Sequence, residues 1–162
     1  FGLIMDNFVI ISDTHGLGYE VLDGLLPIIN SADALVHLGD GLRDLAAYRS
    51  LITVPIIRVR GNCDVASPDD EDVFFETSAG KVLFTHGHTH KVSGGLLDLA
   101  LFAEESGCRY AFYGHTHTYS EETYHGITLV NVPSLTRPRG FYRAYCCAFV
   151  ESGKLLTKIV AI

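Results

Sequence analysis

The chain has 162 residues, of which 48% are hydrophobic and 19% charged, and a formal net charge of −7. That apolar fraction excludes intrinsic disorder, and the length suits one domain, placed at residues 5–162. The acidic balance argues against an extended basic face for duplex DNA or RNA, so no stable nucleic-acid complex is expected. No apolar run approaches the ~20 residues that would cross a bilayer, so no membrane partner is expected.

Residues 1–4 precede Met5, the single methionine, and are read as a remnant of expression ahead of the native start. With no charged n-region and no small-residue cleavage site, a cytoplasmic chain is expected. Cys63, Cys108, Cys146 and Cys147 form no C-x-x-C pair and are expected as free thiols.

In chain order, the apolar run 8–11 predicts a first strand. Val21, Leu22, Leu25, Leu26 and Ile29 then fall on one helical face, with Pro27 placed near the last turn. Run 34–38 is a second strand, followed by a shorter helix carrying Leu42, Leu45 and Ala46, and run 56–59 is a third. Run 82–84 is next, then a helix with Leu96, Leu97, Ala100 and Leu101, begun by Ser93 or a nearby glycine. Run 110–113 follows. Segment 121–124 turns at His125-Gly126 into run 127–132, and Ser152-Gly153 joins run 145–150 to run 155–160. The early β-α-β alternation implies parallel strands, and the late part is mostly hairpins. The fold class is α/β: two packed mixed sheets with helices outside.

The chemistry gathers where strands end. Run 8–11 leads into Ser12-Asp13-Thr14-His15-Gly16, run 34–38 into Gly39-Asp40-Gly41, and run 56–59 into Arg60-Gly61-Asn62-Cys63-Asp64. Run 82–84 leads into Thr85-His86-Gly87-His88, and run 110–113 into Gly114-His115-Thr116-His117. In α/β sheets ligands sit beyond the carboxyl ends of strands, so the five ends can meet at one crevice. A lone Asp after a strand is a turn or capping residue, and a lone His is a surface or core residue; His37 and His125 are read that way. Five agreeing ends are not. Asp, Asn and His offer a mixed nitrogen and oxygen shell. Seven ligands exceed one tetrahedral site but suit two ions sharing a carboxylate. Such a pair clamps a phosphoryl group and activates a bridging water. Two divalent ions, two aspartates and a hydroxide leave a formal local charge of about +1, which outweighs the diffuse surface charge.

The order D-x-H, G-D, G-N-x-D, H-G-H, G-H-T-H resembles the calcineurin-like metallophosphoesterases, and among them the small YfcE-type phosphodiesterases. The resemblance runs from Met5 to about Arg139. It implies a four-layer αββα sandwich. It also implies that Asp13, His15, Asp40 and His117 hold one metal ion. Asp40 as the bridge, with Asn62, His86 and His115, would then hold the other. Mn²⁺ is the expected metal, with Fe, Zn²⁺, Ni²⁺ or Co²⁺ as other candidates.

The sequence departs from that pattern in two places. Many relatives carry His beside the Asn, where it is thought to protonate the leaving group. Here Cys63 stands at that position, as in the small YfcE-like branch. Asp64 is then expected to orient ligands from behind, and His88 to touch substrate or donate a proton. Asn131-Val132-Pro133-Ser134, followed by Arg137-Pro138-Arg139, is similar to the family's N-P-G-S…P-R stretch. Asn62, His88 and Arg139 are the expected substrate contacts.

The expected activity is hydrolysis of small phosphodiesters through a metal-bridging hydroxide, with diesters preferred over monoesters. The competing reading is a protein-interaction scaffold similar to the small retromer subunit, which has lost part of the metal set; here all seven ligands are present. A nuclease shares the motifs but needs cap and partner-binding regions. Phe141, Tyr142 and Arg143 are candidates for a homodimer patch.

Overall fold

The computed structural model describes residues 4–140 and 142–162. Phe141, one of the candidate dimer residues, lies outside them. Ten strands form two mixed sheets of five. The first has the order β10-β9-β1-β2-β3. In it β1 (Asn7–Ile11), β2 (Ala34–His37) and β3 (Ile56–Arg58) are parallel, and β9 (Ala144–Glu151) and β10 (Lys154–Ala161) form the terminal hairpin. The second has the order β4-β5-β6-β8-β7, built from β4 (Asp72–Thr77), β5 (Gly80–Thr85), β6 (Tyr110–Tyr113), β7 (Ser120–Tyr124) and β8 (Ile127–Asn131). Here β5, β6 and β8 are parallel, while β4 and β7 close the edges antiparallel.

The period-two alternation of a strand sorts side chains into layers. On β1, Phe8 and Ile10 face the second sheet and pack with Phe84, Phe112 and Val130. The Phe8 and Phe84 rings meet edge to face, their centroids 5.5 Å apart. Val9 and Ile11 face outward instead, onto Leu22, Leu25 and Ile29 of α1 (Leu22–Ser31). Leu83, Ala111 and Leu129 do the same on the far side, onto Leu99, Ala100 and Ala103 of α2 (Leu97–Glu105). Buried on both faces, the central strands read as unbroken apolar runs. The result is helix, sheet, sheet, helix: the expected four layers.

Five details differ from the sequence reading. β4 was not foreseen: it is an edge strand, partly exposed, with only Val73, Phe74 and Phe75 as an apolar core. Pro27 lies inside α1, not in its last turn. The carbonyl its missing N–H would have bonded, that of Asp23, is on the exposed side, so the helix continues. On α2, Leu97 and Leu101 are exposed, and Leu99, Ala100 and Ala103 carry the buried face. The segment Leu42–Tyr48 is a 3₁₀ helix, and no side-chain cap starts α2. Both foreseen hairpin turns are present, with φ of 50° at His125 and 51° at Ser152, each followed by a positive-φ glycine. Among the described residues no helix is long and apolar enough to cross a membrane.

Candidate metal centre

The carboxyl ends of β1, β2, β5 and β6 point to the same end of the sandwich, together with the loop after β3. Their loops are held to one another by main-chain hydrogen bonds. Asp13 N–H donates to Gly39 C=O and His15 N–H to Asp40 C=O, each at 3.0 Å, while Gly114 N–H donates to His86 C=O at 3.0 Å. Asp13, His15, Asp40, His115 and His117 all have positive φ, between 47° and 71°. Left-handed backbone costs a non-glycine residue roughly 1–2 kcal/mol, so five such residues at one place mark a site whose geometry is imposed by its surroundings.

Asp13 and Asp40 are buried at the centre. Asp13 Oδ1 lies 3.6 Å from His15 Nε2, 3.8 Å from His86 Nε2 and 3.3 Å from His117 Nε2. Asp40 Oδ2 lies 3.2 Å from His86 Nε2 and 3.9 Å from His15 Nε2. Asn62 Oδ1 reaches His86 Nε2 at 3.1 Å, and His115 Nδ1 stands 3.3 Å from the same nitrogen. Two triads of converging donor atoms are thereby formed, Asp13–His15–His117 and Asp40–His86–His115. All seven residues expected as ligands are brought together.

The rings are aimed by groups behind them. His86 Nδ1–H donates to Leu38 C=O at 2.7 Å, and His117 Nδ1–H to Arg137 C=O at 2.8 Å. Each bond leaves Nε2 as the lone-pair nitrogen facing the crevice. Asp13 Oδ2 accepts from the hydroxyl of Ser12 and from His115 N–H at 3.0 Å, whereas the buried Oδ1 has no hydrogen-bond partner. Asp40 Oδ1 accepts Cys63 N–H at 2.7 Å. Asp64 stands behind: Oδ2 accepts Asp40 N–H at 2.6 Å and Gly61 N–H at 2.9 Å, and Oδ1 accepts Gly41 N–H at 2.9 Å and Leu42 N–H at 3.1 Å.

Charge follows geometry. Burial alone would raise the Asp13 pKa, but the nearby imidazoles of His117 and His15 and the charge of His86 hold it well below the carboxylate range. Burial would likewise lower the His86 pKa, yet Asp40 and Asp13 raise it. Asp13 raises that of His117. Burial, helped by His86, lowers the pKa of His115. The site therefore holds compensating anions and imidazoles in a small volume, with two nitrogen pairs facing each other. One pair is His86 with His115; the other is His15 Nε2 and His117 Nε2 at 3.1 Å.

Other expected participants are placed less centrally. The His88 ring centroid is 5.3 Å from His86 and 6.3 Å from His115, and its buried Nδ1 has no partner. Arg139 is exposed; its N–H donates to His117 C=O at 2.9 Å, and its charge acts to lower the His117 pKa. Cys63 comes closer than expected, with Sγ grouped with His15 and Asp40. Burial and Asp40 raise its pKa, which keeps it a thiol.

Several contributors were missed by the sequence reading. Ser134 Oγ donates to Asp13 C=O at 2.7 Å and Thr136 Oγ1 to Thr14 C=O at 2.9 Å, latching the 131–137 loop onto the first ligand loop. His37 is fully buried and bonds Thr14 Oγ1 at 3.0 Å through Nε2, while Nδ1 accepts Gly39 N–H at 3.1 Å. Burial lowers its pKa to about 4, so it is a neutral strut between the first two ligand loops.

Gly61 is required by close approach: a Cβ there would overlap Asp40 Oδ1 and lie 2.6 Å from Asp40 N. Gly61→Ala is therefore expected to displace the Asp40 carboxylate and weaken Mn²⁺ binding about tenfold or more, while the far-UV circular dichroism stays that of the parent. Calorimetric titration checks this; unchanged affinity would show that Asp40 tolerates the shift.

Known proteins are similar to this chain in sequence and in fold. The profile of the calcineurin-like phosphoesterase superfamily domain matches residues 7–153. "Probable metallophosphoesterase YsnB" of Bacillus subtilis is 32% identical over 133 residues, covering 82% of this chain and 77% of that protein. A Streptococcus pneumoniae protein described as a "predicted phosphoesterase" superposes with a TM-score of 0.82 at 23% identity, over 99% of this chain and 91% of that one. Zinc-bound Vps29 of Entamoeba histolytica shares the fold, with a TM-score of 0.73 at 16% identity, over 96% of this chain and 98% of that one. A profile match along nearly the whole chain and a relative sharing about a third of its residues make the chain a member of the calcineurin-like phosphoesterase superfamily.

Proposed function

We propose that the chain is a phosphodiesterase that works with two divalent transition-metal ions, Mn²⁺ foremost, on small phosphodiesters. The observation that carries this reading is the donor set itself. A buried carboxylate oxygen without a partner faces three imidazoles, and the lone-pair nitrogens of His86 and His117 each stand close to another imidazole nitrogen. Without metal these groups share protons; cations between them would take the place of those protons and make each nitrogen and oxygen a ligand. Asp13, His15 and His117 would hold one ion, Asn62, His86 and His115 the other, and Asp40 would touch both.

When bound, the ions neutralise charge on the phosphoryl oxygens and make water nucleophilic at neutral pH. The chain's own residues do the remaining work. Asn62 and Arg139, both exposed beside the centre, are positioned to hold the substrate phosphate. Burial and His86 lower the His88 pKa, so its ring is neutral and suits a hydrogen bond to the substrate better than proton donation. Cys63, whose reference pKa is ~8.5, is a weak acid at the position where many relatives carry His. With no strong acid in place, substrates whose leaving group departs unprotonated are favoured. Across a series of aryl phosphodiesters, log rate is expected to fall steeply as leaving-group pKa rises. A flat plot would remove this account.

Metal loading has a pH signature. The raised His86 and His117 pKa values give the metal-free protein stability that is full below the unfolded value and lost as pH rises through the folded one. Divalent ions must displace those protons, so their affinity climbs with pH. At a hundred times Kd, each ion adds about 2.7 kcal/mol. The Mn²⁺-induced rise in Tm is expected to be larger at pH 8 than at pH 6, with protons released on titration. A larger rise at pH 6 would refute the assignment of these imidazoles as ligands. A scaffold without enzymatic work would show neither chelator-sensitive turnover nor the leaving-group trend.

A further inference from the structure

A groove of about 960 Å³ leads away from the centre, with His15 and Cys63 at its inner end. One wall is the Leu42–Tyr48 3₁₀ helix and the other is segment 63–69. Three of the chain's eight arginines, Arg43, Arg49 and Arg58, line it, although the chain as a whole is acidic. A smaller hollow of about 510 Å³ adjoins it, sharing Arg49, Arg58 and Asp69.

Three aspartates also line the groove, but each is already committed. Asp64 accepts four main-chain N–H groups. Asp44 Oδ2 accepts Gly16 N–H at 3.0 Å and Gly18 N–H at 3.2 Å. Asp69 takes the Arg58 guanidinium at 3.1 Å and the Ser67 hydroxyl at 2.8 Å. Arg43 and Arg49 are exposed and, among the described residues, make no ion pair and no side-chain hydrogen bond. The groove thus presents two guanidinium groups with unspent donors, which match phosphate oxygens well. The 63–69 wall carries an apolar stretch, with Val65 85% exposed beside Ala66 and Pro68. A volume of this order exceeds what a lone phosphate requires and falls within the roughly 300–1,000 Å³ typical of ligand pockets.

We propose that this groove is a second anion subsite, which receives the arm of the substrate that carries a further phosphate: Arg43 and Arg49 bind that phosphate, and the Val65 wall covers the attached nucleoside. The substrate class is then a short nucleotide diester with a terminal phosphate. This rests on the phosphodiesterase reading only for the identity of the scissile end.

The test compares two probes, a phosphorothioate-linked thymidine dinucleotide and its 5′-phosphorylated form, in Mn²⁺. Their binding to the parent protein and to R43Q/R49Q is followed by calorimetry. The parent is expected to bind the phosphorylated probe about tenfold more tightly, and the double variant to bind both alike. Raising the salt should narrow the parent's gap. Equal affinities in the parent, or a gap that survives in the double variant, would overturn the subsite. Hydrolysis of bis(p-nitrophenyl) phosphate by the parent, measured in parallel, separates the two readings. Turnover without the affinity gap removes the subsite alone, and the gap without turnover removes the reaction and leaves the subsite standing.

Discussion

Asp40→Ala is expected to lower diester turnover by ~10³-fold or more, the several kcal/mol that a lost metal pair represents. Asp40 Oδ2 reaches toward both donor triads, 3.2 Å from His86 Nε2 and 3.9 Å from His15 Nε2. Asp13 Oδ1 instead lies nearer His117 and His15, at 3.3 and 3.6 Å, than His86, at 3.8 Å. On the proposed two-ion reading, removal of Asp40 takes an anion from each side, so neither cation would keep a charge-balanced shell. The backbone must be separated from the side chain, because Asp40 sits at φ 61°. Asn tolerates that conformation and Ala does not, at a cost of roughly 1–2 kcal/mol. Asp40→Asn should therefore fold with near-parental stability without metal and still lose turnover, whereas Asp40→Ala loses both. Asn62→Ala, by contrast, should weaken one ion only, since the donor oxygen of Asn62 reaches His86 Nε2. Mn²⁺ stoichiometry read by mass spectrometry alongside turnover checks this order. Two tightly held ions and full turnover in Asp40→Ala would dismiss the bridging assignment.

How far the sequence anticipates this arrangement depends on what kind of signal each part leaves. The central strands are legible because burial on both faces demands unbroken apolar runs, as in Phe8 to Ile11 and Tyr110 to Tyr113. The positions of the ligands follow from those strand ends. β4 is not legible: on a sheet edge with one face open to solvent, its alternation is diluted by Asp72, Glu76 and Thr77. The buried face of α2 is only partly legible, because Leu97 and Leu101 have larger apolar side chains than Ala100 and Ala103, yet the two alanines lie against the sheet with Leu99. Small side chains there let the helix approach closely.

Backbone conformation leaves even less trace. Nothing in D-x-H or H-T-H announces that Asp13, His15, His115 and His117 turn left-handed, since glycine, the residue that advertises positive φ, stands elsewhere in these loops. The latch from Ser134 and Thr136 spans about 120 residues of chain, and although the 131–139 stretch resembles a family motif, nothing local marks what these hydroxyls bond. His37 is similar. Within its strand it reads as an ordinary core residue, and only the fold reveals that its two ring nitrogens tie Thr14 to Gly39. Tertiary hydrogen bonds set the aim of the candidate ligands, and such bonds are specified by topology, not by neighbours in sequence.

Asp64→Ala, finally, is expected to cost about 2–4 kcal/mol and to weaken metal binding without removing any ligand. Its carboxylate gathers the N–H groups of Asp40, Gly41, Leu42 and Gly61, so the second and third ligand loops share one acceptor. Without it, four amides turn to water or remain unpaired, and the loop that aims Asp40 loosens. The sign with pH is fixed by the same bonds. Burial would raise the Asp64 pKa, but the N–H groups of Gly41, Gly61, Asp40 and Leu42 hold it below the ordinary carboxylate value. A depressed folded pKa gives stability that is present above the unfolded value of ~3.9 and lost as pH falls through the folded one. In urea titrations of metal-free protein, the difference between parent and Asp64→Ala should thus be largest near neutral pH and shrink in acid. Asp64→Asn offers one carbonyl oxygen and an unwelcome NH₂ to four donors, and should behave nearly as badly despite its matching shape. If Asp64→Asn instead bound Mn²⁺ as the parent does, with the same acid limb, then the ligand loops hold their aim without this carboxylate.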